Sequence, residues 1–145
     1  MFHLPSSLLA LNGFVALLLG LLCGAPLGSA INRGSDESIR GWRVAHSSLV
    51  NGGVMLLAIS VVLPHLALSQ DWRLVASILL SISVYVFSFA LVFGAWKGYR
   101  GLRKETENAA NVVYYANMLG AVLSIIVVGL LIYGASISLA RNMLT

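Results

Sequence analysis

His46 is the side chain in this sequence with the most chemistry to offer, and Asn51 follows it five residues later. Both lie in Gly41-Trp42-Arg43-Val44-Ala45-His46-Ser47-Ser48-Leu49-Val50-Asn51-Gly52-Gly53, which leaves a charged segment and enters a long apolar one. A histidine at the mouth of a membrane helix can hold a metal or a porphyrin, because one imidazole binds haem iron and leaves the opposite face open. A lone interfacial histidine is more commonly a solvated or carbonyl-bonded end-group. Here Ser47, Ser48 and Asn51 make a polar patch around it, and Gly52 with Gly53 lets a backbone or a flat ligand come close. Residues five apart on a helix are separated by about 140°. His46 and Asn51 therefore meet at one site only if it lies between subunits or if the helix start is irregular.

Other reactive groups are sparse. His65 follows Pro64, and at 1.5 Å per residue it lies about 28 Å from His46, so the two cannot share a metal. Cys23 is the single cysteine and sits in an apolar run, where packing is its expected role. No acidic residue falls inside an apolar run, which argues against a pump or an ion-coupled carrier. Phosphate-binding glycine loops, paired carboxylates, Ser-His-Asp sets and Cys/His zinc spacings are missing. Any chemistry must come from a bound cofactor.

The elements that position His46 follow from composition. The 145 residues are 59% hydrophobic and 10% charged, against about 25% charged in ordinary globular domains. The apolar stretches form four runs, each near the roughly 20 residues that cross a bilayer. They are continuous rather than alternating, so they predict helices and not a barrel. The expected fold is all-α: one antiparallel four-helix transmembrane domain over 1–145, with helices at about 7–31, 44–68, 74–95 and 109–139. The first run lacks a positive n-region, having only His3 and the amino terminus, and is too long for a signal peptide.

In the first run Gly20, Gly24 and Gly28 recur at four-residue spacing and clear one face for a neighbouring helix or a flat ligand. Pro26 loosens or kinks its end. Residues 32–43 read as a polar loop closed by Trp42, an interfacial aromatic. The third run is interrupted only by serines and Tyr85, and the fourth opens on Asn111, Tyr114, Tyr115 and Asn117. Arg33, Arg40 and Arg43 weight the first loop, and Lys97, Arg100, Arg103 and Lys104 the third. Loops 32–43 and 96–108 are therefore expected in the cytoplasm, with both termini outside. The net charge of +4 is confined to loops and tail, so it reports orientation and lipid headgroups, and nucleic acid is an unexpected partner. Trp42, His46, the end of the third helix and the start of the fourth then converge on one layer.

At this point the chain resembles the membrane-bound styrene oxide isomerases. The likeness rests on Gly41-Trp42, Arg43, Ala45-His46-Ser47, Asn51-Gly52, Val62-Leu63-Pro64 and Arg100-Gly101-Leu102, and its specific part runs from Trp42 to Asn51. The resemblance implies a homotrimer in a bacterial inner membrane, with haem b bound at the subunit interface through His46. Trp42, Ser47, Gly52 and Gly53 would flank that group. It implies that ferric iron polarises the oxygen of a small apolar substrate such as an aryl epoxide, giving an aldehyde. An asparagine and a tyrosine of the family orient that oxygen. Asn51 matches the asparagine but stands one residue nearer the histidine. The tyrosine position holds Phe89 or Ala90, and an acidic residue expected in that helix has no counterpart. Tyr85, Tyr114 and Tyr115 are the candidate replacements. Two other readings remain open: a haem-binding sensor, carrier or accessory subunit without isomerase activity, and a haem-free helical subunit of a larger membrane complex.

Overall fold

A computed structural model describes residues 4–104 and 106–144, and among them every regular element is a helix. His3 lies outside the described residues. The elements are α1 (Leu4–Leu22), α2 (Gly24–Arg33), α3 (Asp36–Val62), a 3-10 turn (Leu63–His65), α4 (Gln70–Lys97) and α5 (Asn108–Met143). Taken as spans, Leu4–Arg33, Asp36–His65, Gln70–Lys97 and Asn108–Met143 are each long and apolar enough to cross a membrane. The four expected spans are present, with different ends.

Each difference has a local cause. The first span breaks at Cys23, where Pro26 has no N–H for the Leu22 carbonyl and its ring crowds that group. The expected polar loop 32–43 shrinks to Gly34 and Ser35. Ser35 caps α3 by accepting from the Ser38 N–H at 3.3 Å, and Asp36 and Glu37 complement the positive end of the helix dipole. Trp42 and His46 therefore lie inside α3, not at its start; His46 is ten residues in, about 15 Å along the axis. At the other end α3 stops at Val62 rather than continuing to Leu68, because Pro64 cannot donate to the Ser60 carbonyl. Leu66 to Ser69 instead form a connection, with the Ala67 N–H donating to Ser138 Oγ at 2.7 Å. Ser69 then caps α4 four residues earlier than expected. Gly98, at φ 78°, ends α4 in the left-handed conformation and donates back to the Gly94 carbonyl.

Between membrane helices close packing and hydrogen bonds replace the hydrophobic drive, since lipid tails are as apolar as leucine. α3 packs along α1, α4 touches α1, α3 and α5, and α5 rests chiefly on α4. One close approach is at two glycines: a Cβ on Gly53 would stand 2.8 Å from the Gly13 carbonyl oxygen. Leu9, Leu56, Leu63 and Val127 form the main buried cluster, and Cys23, Ala45, Leu49 and Ala95 a second one. The α4 serines behave as membrane serines do: Ser77, Ser81 and Ser88 bond back to the carbonyls of Arg73, Ser77 and Val84, and Ser83 reaches the Gly120 carbonyl on α5.

Candidate functional site

His46 is half-buried, on the side of α3 that faces α1 and α2. Its Nδ1 lies 2.7 Å from the Gly20 carbonyl oxygen. A carbonyl only accepts, so Nδ1 carries the proton and donates, and a neutral ring keeps its lone pair on Nε2. Metal-ligating histidines are commonly held this way, with one nitrogen fixed to a carbonyl and the other left for the metal. Gly20 allows the arrangement sterically: a Cβ there would stand 2.7 Å from the Val50 nitrogen and push α3 away. The ring also rests against Gly24, whose Cβ would meet Nδ1 at 3.6 Å. Of the three glycines expected to clear a face, Gly20 and Gly24 do so at His46, and Gly28 has nothing within 4 Å.

A single imidazole is a weak holder of a free ion. Among the described residues no three His, Cys, Asp or Glu side chains gather as a metal-ligand group. The donor set therefore suits a metal that arrives with its own equatorial ligands, as in a porphyrin.

The flanking residues divide. Trp42 is half-buried and packs on the cluster of Cys23, Ala45, Leu49 and Ala95, one turn from His46 on the same face. Ser47 is exposed and bonds back to the Arg43 carbonyl at 2.8 Å. Gly52 faces α4, with Val84 Cγ2 3.8 Å from the position of a Cβ. The cleared side of Gly53 is filled by α1 of the same chain, so it serves helix approach and leaves no slot there for a flat ligand. Asn51 is exposed on another face of α3, and its side chain makes no hydrogen bond within the described residues.

The tyrosines lie elsewhere. Tyr85 and Tyr115 line a groove of about 550 Å³ between α4 and α5, with Phe89, Val112 and Leu119. Tyr114 is half-buried with its ring edge-on to Tyr115, centroids 5.3 Å apart. Lys104 sits 5.3 Å over the Tyr115 ring, and hydrogen bonding to that phenol raises the lysine above its ordinary pKa. Tyr85 donates to Asn12 Oδ1 at 2.5 Å, while Asn12 Nδ2 donates to Ser81 Oγ at 3.0 Å and to the Leu8 carbonyl at 2.7 Å. Sequence reasoning passed over Asn12. Its signal was present: it is the one amide within the apolar stretch of the first run, where a polar group needs a partner.

The convergence expected around His46 holds only for the start of α3, the end of α4 and part of α5. Arg40 and Gly41 of α3, Gly94 and Ala95 of α4, and Tyr99 and Asn117 beyond it surround a cavity of about 440 Å³. His46 is not in its lining; Val44 is, roughly 160° round the helix from His46. Within the chain, then, His46, Asn51 and the Tyr85–Tyr115 groove face three directions.

Four membrane-length helices define a small helical protein built like an integral membrane protein, with His46 Nδ1 held by the Gly20 carbonyl. A family model described as Styrene oxide isomerase matches residues 5–136. That match covers most of the chain, and the protein belongs to the styrene oxide isomerase family. No curated protein matches it.

Proposed function

We propose that this protein is a haem b-dependent membrane isomerase that rearranges a small apolar epoxide, of the aryl type, to an aldehyde. We further propose that it works as a homotrimer with haem between subunits. The observation that carries the reading is the bond from His46 Nδ1 to the Gly20 carbonyl. It orients the ring and leaves Nε2 as the atom that would hold the iron. When bound, ferric haem supplies Lewis acidity toward the epoxide oxygen.

The residues of the chain account for the remaining requirements. The rearrangement moves hydrogen within the substrate and consumes no water, whereas water reaching an opening epoxide gives a diol. Apolar surroundings such as Leu49, Val50 and the Leu19 and Leu91 side chains against that cluster serve to exclude it. Holding the epoxide oxygen in place needs hydrogen-bond donors. Asn51 has an amide NH2 that none of the described residues uses. The one proton of the Tyr85 hydroxyl already goes to Asn12, so Tyr115, with Tyr114 at its edge, is the better donor. An amide facing lipid from the middle of α3 is unfavourable. A neighbouring subunit against that face covers Asn51 and brings separated groups to one site.

The absorption spectrum of the purified protein tests this directly. A Soret band that disappears in His46→Ala while the protein stays folded supports it; a band unchanged in that variant refutes it. A second reading, a haem protein without isomerase activity, draws support from the commitment of Tyr85 to Asn12. Fully haem-loaded protein that forms no aldehyde from styrene oxide would assign the chain to that reading.

A further inference from the structure

The end of the bundle opposite the Arg100 loop carries a second polar cavity, of about 470 Å³, walled by the connection after α3, the first turn of α4 and the last turns of α5. At about 30 Å³ per water molecule this is room for on the order of fifteen waters. His65, Arg73, Arg141, Ser69 and Ser138 line it, and its lining contains no acidic residue. Asp71 is the acid of the α4 first turn and lies outside that lining.

Arg73 is the unusual member. It is half-buried, and its Nη2 donates to the Leu66 carbonyl at 2.8 Å. Its Nε is cut off from solvent and has no hydrogen-bond partner among the described residues. A guanidinium has five N–H donors and cannot shed its charge. Nε, shut off from solvent, is also out of reach of the cavity, but a half-buried guanidinium is stabilised by an anion at its remaining N–H groups. Arg141 adds an exposed guanidinium and His65 an imidazole at the rim, while Ser138 Oγ already serves the Ala67 N–H. Two guanidinium forks converging on one cavity match the oxygens of a tetrahedral anion.

We propose that this cavity binds a phosphate oxyanion, with Arg73 and Arg141 as its ligands and His65 at its edge. The site is independent of the His46 chemistry. A lipid headgroup and free phosphate share the recognised group, and the experiment separates them. The full chain in detergent is titrated with phosphatidylglycerol and followed by native mass spectrometry, with and without millimolar inorganic phosphate. Retention of the lipid should fall roughly fivefold or more in Arg73→Gln and in Arg141→Gln. It should stay unchanged in Lys97→Gln at the far end of α4. Because Arg73 also ties down Leu66, the exposed Arg141 decides the matter if Arg73→Gln does not fold. Displacement of the lipid by phosphate identifies a site open to the soluble anion; retention despite phosphate identifies the headgroup. Equal retention by wild type and Arg141→Gln, or an equal loss in Lys97→Gln, overturns the proposal.

Discussion

The first span carries two polar contacts, one at Gly20 and one at Asn12, eight residues and about 12 Å apart along one helix. They are built on opposite principles. At Asn12 the network closes on itself: the amide donates twice, its oxygen accepts from Tyr85, and Ser81 in turn bonds back to its own helix. At Gly20 the contact is left open, since the carbonyl satisfies one nitrogen of His46 and leaves the other. A saturated polar network inside a bilayer ties helices together. An unsaturated one presents a ligand atom. The comparison separates fastening from function on a single helix, and each prediction below tests one side of it.

The largest effect belongs to the open contact. His46→Ala should lower haem per protein by about tenfold or more, since the His46 imidazole is the residue that would hold the iron. Pyridine haemochrome content against protein concentration measures it, with circular dichroism confirming the helices. The next effect concerns where the open contact finds its partners. If His46 and Asn51 act from different subunits, mixing inactive His46→Ala chains with inactive Asn51→Leu chains restores intact pairs. Random assembly of equal amounts gives about a quarter of wild-type aldehyde formation. A mixture as inactive as its components would place both residues of a site on one subunit.

Gly20 and Gly24 offer a matched pair at the same contact. A Cβ on Gly20 meets the Val50 nitrogen at 2.7 Å, so Gly20→Ala must displace α3, at about 1–3 kcal/mol for overpacking. The displacement also moves His46 off its carbonyl, so haem retention should fall with thermal stability. A Cβ on Gly24 meets the ring at 3.6 Å, an ordinary contact. Gly24→Ala should therefore change the thermal midpoint and the Soret band little. Similar behaviour of the two variants would mean that the Gly20 approach does not hold the imidazole.

The four spans were legible in the sequence because hydrocarbon thickness demands long apolar runs, and no loop imitates that. Their ends were less so. Arg33, Arg40 and Arg43 beside Asp36 and Glu37 read as a loop, yet a membrane helix can continue into water, and Ser35 before two acids was the overlooked start signal. Ala67 and Leu68 look helical by type, but Pro64 had already ended the hydrogen-bond ladder. His46 was legible as a residue type. Its partner was not, because the Gly20 carbonyl is 26 residues away and backbone groups carry no sequence signature. Tyr85 was legible as a candidate hydroxyl, while its commitment to Asn12 depends on how α1 and α4 cross.

That commitment gives the smallest and most discriminating prediction. Tyr85→Phe removes one interhelical hydrogen bond and leaves Asn12 Oδ1 without its donor. Such bonds between membrane helices are worth about 0.6 kcal/mol on average and up to about 1.7. The variant should melt slightly earlier in detergent, keep its haem, and turn over styrene oxide within about threefold of wild type. Asn12→Leu should lower stability somewhat more, because it removes the links to both Tyr85 and Ser81. The opposite pattern has a distinct physical meaning. A Tyr85→Phe protein with unchanged melting and haem content but a hundredfold lower turnover would show that the phenol releases Asn12 to reach the substrate oxygen. The network at Asn12 would then be a resting state of the catalytic hydroxyl, and the division between a closed contact that fastens and an open one that binds would fail at that residue.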